Sequence, residues 1–449
     1  MPPLSSLLPR RLPLPCTTAA IAVLIGAPAL VLSQWPRPTA RGLEQLMAIS
    51  SLLQSFPADP SRQAPSLWQE RLGSRQATRY WRQQRGPWWQ VWSEDSGAAA
   101  ALAFPAPGGS SARRPPAEVV AVDDLWVVSA DPLARQLLQE RLGPRRRASR
   151  GLQRRCLQVL QRQQAVFWNP TALGPLLGPL ASVLQHYQEG CLALGLEGAT
   201  LHWAGEAAAV DGLLSAGDSI EAPAPLASPP PLQASLLRLE GGTLQPLLSP
   251  LLSRRLIRDP LAQRYGLNRQ RLPLLLQTPF QLDLQPRAQG PFQASLSLQL
   301  AVGNRGQRWL PLLTAVGRGL EQQGLTAIGP GRWRRQDGVV VGGWRWLRGP
   351  SGGEARLLIT LGADPLNAGI PPGSGPQRLG QGLPASAGRS GLQLQLQPEA
   401  LAQRGLLPQG LPALVQRTPQ LWLRAEPHAD DPSLSRLTGG LPLPQASRR

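Results

Sequence analysis

Two stretches of the sequence, Leu125-Trp-Val-Val-Ser-Ala-Asp-Pro-Leu133 and Leu357-Leu-Ile-Thr-Leu-Gly-Ala-Asp-Pro-Leu366, are near copies of each other although more than two hundred residues separate them. Each is an apolar run closed by Ala-Asp-Pro-Leu. Aspartate followed by proline is typical of a helix start, because the carboxylate accepts hydrogen bonds from free backbone amides and proline supplies a helical φ angle. The pattern predicts a strand followed by a helix in both places. Asp131 and Asp364 are then helix caps rather than twin catalytic acids.

The residues that follow each copy also match. A second strand-like run ends in proline at 165–170 in one case and at 392–398 in the other, and a third apolar strand begins near Cys191 and Gln420. Three landmarks in the same order at similar spacing indicate an internal duplication. We therefore predict four parts: a cytoplasmic tail and N-terminal signal anchor (1–36), a first α+β repeat unit (37–220), a Pro-rich linker (221–234) and a second α+β repeat unit (235–449).

The order of strands and helices indicates the fold class. Apolar and polar residues alternate in several runs, among them Phe280 to Leu284, as expected for half-buried antiparallel strands. We predict an α+β fold, in which an N-terminal transmembrane helix is followed by two duplicated units of antiparallel sheet with helices packed on one face. The aromatic runs Tyr80-Trp81 and Trp88-Trp89, separated by Gly86-Pro87, predict a β-hairpin.

The N-terminal region has the features of an export signal. Arg10 and Arg11 precede an uncharged, strongly apolar stretch that extends to Gln34, as in a signal peptide or signal anchor. We predict a retained single-pass anchor with the bulk of the chain exported to the periplasm or the thylakoid lumen side. A cleaved signal peptide, which would leave a soluble periplasmic protein, and a buried helix are the alternatives. The predicted anchor residues are Ile21, Val23, Leu24, Ile25, Leu30, Val31 and Leu32.

Every basic side chain of this 449-residue chain except histidine is an arginine, and the net charge is +19 because only 27 acids oppose 46 arginines. The absence of lysine excludes Schiff-base and Walker-type chemistry. One cluster of arginines could contact anionic lipid head groups or, as a lesser alternative, nucleic-acid phosphates. The third interpretation of this cluster is an ordinary solvated helix face. Its candidate contact residues are Arg145, Arg146, Arg147, Arg150, Arg154 and Arg155.

No residue pattern predicts a catalytic, cofactor-binding or metal site. The three histidines are far apart, and none has a metal-ligand spacing with a carboxylate or a cysteine. Three cysteines do not make a disulfide framework. Cys156 and Cys191 could pair in an oxidising compartment or remain as two buried thiols, and the sequence leaves both alternatives open.

The order of motifs resembles a known family. A strand ending in Ser129-Ala-Asp-Pro-Leu133 is followed by an arginine-rich spacer and then by Val166-Phe-Trp-Asn-Pro-Thr-Ala-Leu173. This succession resembles a bacterial family, abundant in cyanobacteria, that is catalogued as domain of unknown function 3352. Gly343-Trp-Arg-Trp-Leu347 is similar to the Trp- and Gly-rich segment before the closing repeat of that family. The resemblance covers most of the chain after about residue 40. It implies a single-span exported protein and transfers no catalytic residues.

These observations give a preferred function and two alternatives. We expect a basic, single-span membrane-anchored protein with a non-catalytic extracytoplasmic module that binds or scaffolds an envelope protein, anionic lipid or envelope polymer. The first alternative is an envelope-associated enzyme with a dispersed site of Asp, Arg and Ser residues. The second is a polyanion-binding protein that acts on nucleic acid. The sequence does not indicate an oligomeric state.

Overall fold

The computed structural model of the chain describes residues 39–93, 99–107, 116, 118–144, 146–172, 187–208, 232, 234–268, 270–348, 355–366, 391–407, 413–428, 431 and 433–443. These residues form the following strands: β1 (Leu52–Phe56), β2 (Trp88–Trp92), β3 (Ala101–Pro105), β4 (Val119–Val122), β5 (Leu125–Val128), β6 (Ala165–Trp168), β7 (Glu189–Glu197), β8 (Thr200–Ala208), β9 (Leu237–Gly241), β10 (Phe280–Pro286), β11 (Ala294–Gly303), β12 (Thr326–Gly329), β13 (Arg332–Arg334), β14 (Val340–Arg348), β15 (Ala355–Leu361), β16 (Leu392–Leu396), β17 (Leu421–Pro427) and β18 (Leu434–Pro442).

The helices of the described residues connect these strands. They are α1 (Leu43–Ile49), α2 (Ser66–Gln83), α3 (Pro132–Leu142), α4 (Gly151–Arg162), α5 (Gln245–Leu252), α6 (Arg255–Tyr265), α7 (Leu272–Leu276), α8 (Gly306–Gln322), α9 (Pro398–Gln403) and α10 (Ala413–Gln416). The predicted hairpin at Tyr80-Trp81 is wrong, because both residues lie in the last turn of α2. Trp81 is buried there and packs edge-on against Trp68 from the first turn.

All eighteen strands belong to one antiparallel sheet. The prediction of two separate sheets is therefore wrong. The last strand of each half, β8 and β18, pair along nine residues from Thr200↔Pro442 to Ala208↔Leu434. This pairing satisfies the backbone groups of two strands that would otherwise be exposed sheet edges.

The order of strand pairings occurs twice within this sheet. The first half has the order β4-β5-β3-β2-β1-β6-β7-β8, built on the pairings β4–β5, β3–β5, β2–β3, β1–β2, β1–β6, β6–β7 and β7–β8. The second half has the order β14-β15-β11-β10-β9-β16-β17-β18. Only β12 and β13, which extend the outer edge beyond β14, have no counterpart among the described strands of the first half.

Helices cover both faces of the first half, so the prediction of helices on one face is also wrong. We call the face that carries Val127 the front face and the face that carries Trp126 the back face. Helices α1, α3 and α4 pack on the front face, and α2 packs on the back face. All four residues of β5 are buried, as expected for a strand covered on both sides.

In the second half, helices α5, α7 and α8 pack on the back face. Leucines from α5, α7 and α8 join Phe280, Leu300 and Leu357 of the sheet in a third core, in which Trp309 is 1% exposed. Among the described residues, no helix is long and apolar enough to cross a membrane. The predicted anchor, residues 21–32, and the Pro-rich stretch 221–231 lie outside the described residues.

Candidate functional site

One row of paired residues crosses the front face of the whole sheet and changes its chemistry at the junction of the halves. Residues that are paired between neighbouring strands point to the same face, so the pairings trace the row from β5 to β14. In the first half it consists of Val127, Ala103, Trp89, Ser55, Ala165, Ala193 and Ala204. In the second half it consists of Thr438, Arg424, Gln393, Glu240, Gln281, Gln299, Leu358 and Arg345.

The candidate functional surface is the polar part of this row together with the neighbouring charged residues Arg238 and Asp283. We call this surface the polar face, and its members are Thr438, Arg424, Gln393, Glu240, Gln281, Gln299, Arg345, Arg238 and Asp283. Equivalent strands of the first half use the same face to bury core residues such as Trp89 and Val127 under helices. On this face the second half therefore carries hydrogen-bonding side chains where the first half carries core residues, and its back face is apolar.

Asp283 is the buried acid that links several side chains of the polar face. Its side chain is buried, and it accepts hydrogen bonds from the Ser235 hydroxyl at 3.1 Å, Arg238 Nε at 2.8 Å and Gln281 Nε2 at 2.7 Å. Charge-assisted bonds of this kind compensate the loss of hydration of a buried carboxylate. Asp283 thus holds the side chains of Arg238 and Gln281 in place along the sheet.

Glu240 is the less well compensated acid of the polar face. It lies two residues after Arg238 on β9, and Arg238 Nε is 3.8 Å from Glu240 Oε1. Burial raises the pKa of Glu240, the positive charge of Arg238 opposes this shift, and the negative charge of Asp283 adds to it. Asp283 is therefore ion-paired with Arg238, while Glu240 keeps its proton to a higher pH than an exposed glutamate does.

Four other side chains of the polar face are half-buried donors or acceptors. Gln281, Gln299, Gln393 and Arg424 are each partly exposed, and Arg424 Nη2 donates to Gln393 Oε1 at 3.3 Å. Neighbouring strands are about 4.8 Å apart, so the row presents amide and guanidinium groups at regular intervals across the sheet. Such a surface can form hydrogen bonds with an extended polar ligand that lies across the strands.

The structure divides the predicted arginine cluster into three kinds of residue. Arg147, Arg150 and Arg154 are exposed, whereas Arg146 is half-buried and donates from Nη1 to the carbonyl of Ala48 at 3.1 Å. Arg155 is 5% exposed and is not a surface contact. Arg145 lies outside the described residues.

Two interactions from adjacent residues of α4 attach this helix to the sheet. Arg155 forms a buried ion pair with Glu206 of β8. Cys156 forms a disulfide bond with Cys191 of β7, with 5.6 Å between the two Cα atoms, and both cysteines are buried. Of the two alternatives that the sequence leaves open for these cysteines, the structure contains the disulfide.

The remaining candidates for chemistry are dispersed or structural. Asp131 caps α3 by accepting a hydrogen bond from the backbone amide of Ala134 at 2.8 Å, which confirms the predicted cap. Asp364 instead pairs with Arg332 and accepts a bond from the amide of Leu366 in a turn. Within the described parts of the chain, no three His, Cys, Asp or Glu side chains are arranged to hold a metal ion.

The sequence carries a signal for the polar face in two of its strands. In Gln393 to Gln397 and in Gln281 to Gln285, glutamine or aspartate alternates strictly with leucine. Such alternation predicts a strand with one polar face. The pattern alone does not show that these strands are neighbours, and only the pairing through β9 brings their polar residues into one row.

Neither a family model, nor a curated protein, nor a solved structure matches this chain. The resemblance to the cyanobacterial family therefore stays a prediction.

Proposed function

We propose that this protein is a non-catalytic binding or scaffolding module of the cell envelope, tethered to a membrane by the apolar segment before residue 36. The polar face is the observation that carries the proposal. A face that buries core residues in one half of a duplicated sheet carries half-exposed Arg238, Gln281, Gln393 and Arg424 in the other. Fixed hydrogen-bonding groups of this kind suit the recognition of a polar partner better than the chemistry of a reaction.

The buried disulfide supports an exported location. Disulfide bonds form and persist in oxidising compartments and are rare in the cytosol. A cytoplasmic nucleic-acid-binding protein, the lesser alternative, would have to keep Cys156 and Cys191 paired against the reducing environment. Labelling of cells with a thiol reagent before and after reduction tests this point. We expect Cys156 and Cys191 to react only after reduction and denaturation, and reaction without reductant would contradict export.

Site-specific photo-crosslinking in cells tests the polar face as the binding surface. A photoreactive residue is placed at Gln281, and Leu256, which is 92% exposed on α6, is the control position. We expect one adduct of defined mass from position 281 and none from position 256. The adduct should disappear in an Arg424→Ala, Gln393→Ala background. Equal adducts from both positions, or an adduct that survives this background, would contradict the proposal.

Glu240 and Asp283 give a specific reason to keep an enzyme as the second candidate. Two carboxylates in different environments on adjacent strands are an arrangement that general acid–base catalysis uses. Here burial raises the pKa of Glu240, and Asp283 accepts a hydrogen bond from Arg238. The same crosslinking experiment separates the two functions. An enzyme that needs Glu240 accumulates unconverted ligand in the Glu240→Gln variant, whereas a binding module gives the same adduct with and without this change.

A further inference from the structure

The first described residues lie beside the arginine-rich segment, although more than one hundred residues separate these two parts of the chain in sequence. Thr39 forms a β-bridge with Arg147, and the backbone amide of Ala40 donates to the carbonyl of Arg146 at 3.0 Å. Arg146 also donates to Ala48, and Glu44 accepts a hydrogen bond from the amide of Ser149. Residues 39–48 are therefore held against residues 146–149 by contacts on both sides.

This junction lies close to the end of the apolar N-terminal stretch. The apolar run ends at Leu32, and Gln34 lies five residues before Thr39. Five residues span at most about 18 Å even when fully extended. If the apolar segment is inserted in a membrane, Thr39, the bridge partner of Arg147, is therefore within about 18 Å of the membrane surface. This distance is comparable to the combined reach of an arginine side chain and the Debye length of about 8 Å.

The side chains that face outwards at this junction are strongly basic. Arg147, Arg150 and Arg154 are exposed, and Arg150 and Arg154 lie one turn apart at the start of α4. The sequence contains no acid between Glu140 and Glu189. Of the acids close to the start of α1, Glu44 accepts a hydrogen bond from the backbone amide of Ser149 and Asp123 accepts one from the amide of Gly42, while Asp124 also lies beside Gly42.

We propose that Arg147, Arg150 and Arg154 form a docking surface for the anionic head groups of the membrane in which the N-terminal segment is inserted. The inference rests on the proposed tether, and it specifies which surface of the protein faces the bilayer. Arginines near an anionic surface strengthen the contact by about five-fold each. Arg155 takes no part, because its guanidinium is engaged by Glu206 under α4.

Energy transfer between the full chain and labelled lipid tests this docking. The donor is attached through a bio-orthogonal residue at Gln158, which is exposed one turn after Arg154, and the acceptor is a head-group-labelled lipid. The chain is reconstituted in vesicles of phosphatidylcholine with or without phosphatidylglycerol. We expect higher transfer with phosphatidylglycerol, a decrease on addition of salt, and loss of the difference in the triple variant Arg147→Gln, Arg150→Gln, Arg154→Gln. The corresponding triple lysine variant should keep the difference.

The matched control removes three exposed arginines around α6, in the triple variant Arg254→Gln, Arg255→Gln, Arg264→Gln. It has the same net charge as the test variant and should behave as the wild type. Equal transfer to the two kinds of vesicle, or equal losses in both glutamine variants, would overturn the inference.

Flotation of the same samples separates this inference from the proposed tether. A chain that fails to float with phosphatidylcholine vesicles has no membrane insertion, and the tether is then wrong. If that chain still floats with phosphatidylglycerol vesicles in a manner that requires Arg147, Arg150 and Arg154, the docking surface stands without the tether. A chain that floats with both vesicles but shows no arginine-dependent transfer supports the tether alone.

Discussion

Arg155 and Glu206 form a buried ion pair that joins α4 to the central strand β8. The Nε and Nη2 atoms of Arg155 donate to Oε2 of Glu206 at 3.1 and 2.6 Å, and each side chain is 6% exposed. His428 Nε2 lies 3.5 Å from the other carboxylate oxygen. Removal of one partner leaves a charge in a region from which water is largely excluded.

We expect Arg155→Ala to lower the free energy of unfolding by about 3–5 kcal/mol, since Glu206 then loses its main counter-charge. The neighbouring change Arg154→Ala removes an exposed arginine from the same helix and should cost no more than about 0.5 kcal/mol. Urea unfolding of the full chain in a non-ionic detergent, followed by tryptophan fluorescence, measures both. Similar losses for the two variants would show that the ion pair does not hold α4.

The disulfide between Cys156 and Cys191 closes a loop with a sequence separation of 35 residues. Loop-closure entropy for this length predicts that the double variant Cys156→Ala, Cys191→Ala loses about 3–4 kcal/mol of unfolding free energy. A reducing agent should destabilise the wild-type chain by a similar amount and leave the double variant unchanged. An effect of the reductant on the double variant would point to another cause.

Glu189 should make the stability depend on pH. It is 1% exposed on β7, and burial raises its pKa from 4.5 to about 7, opposed in part by a hydrogen bond from Gln153. Because the folded state binds this proton more tightly than the unfolded state, the contribution of Glu189 to stability is complete below pH 4.5. It is lost as the pH rises to about 7.

The change Glu189→Gln should therefore remove a decrease of about 3 kcal/mol between these pH values. The variant should be more stable than the wild type at pH 8. Urea unfolding at a series of pH values measures the difference. Parallel pH profiles for the two proteins would be inconsistent with a buried, protonated Glu189.

Gly205 should be essential for the close approach of β7 and β8. A Cβ atom on Gly205 would lie 1.9 Å from the carbonyl oxygen of Cys191, whereas a Cβ on Gly195 of β7 would meet nothing within 4 Å. We expect Gly205→Ala to cost more than about 2 kcal/mol of unfolding free energy, because the backbone must move to relieve the overlap. Gly195→Ala should change it by less than about 0.5 kcal/mol. Equal stabilities of the two variants would contradict this packing.

The polar face shows how much of the candidate site could be predicted from the sequence. Alternation of glutamine with leucine in β10 and β16 predicts half-buried strands, and both are present. Their assembly into one surface depends on β9, which lies between them and supplies Arg238 and Glu240. Strands distant in sequence become neighbours through hydrogen bonds that carry no local signature. The surface could therefore not be located from the alternation alone.

Arg155 shows a second limit of prediction from the sequence, because its burial differs from that of its neighbour. It follows exposed Arg154 in an arginine-rich helix, and the sequence gives the two residues the same chemistry. Helical geometry turns successive residues by about 100°, so one side chain points to solvent and the other to the sheet. Glu206 lies about fifty residues later on β8 and supplies the counter-charge for the buried arginine.

The sequence by itself determined the helix cap at Asp131 and the alternating strands β10 and β16, because capping and periodicity act over a few residues. Asp131 caps its helix as those rules predict. The tertiary structure alone decided that β8 and β18 join both halves in one sheet, and that residues 39 and 40 lie beside Arg146 and Arg147. It also decided that the front face is a core in one half and a polar surface in the other. Each of these depends on pairing and burial between distant residues, which local patterns such as the alternation of glutamine with leucine do not specify.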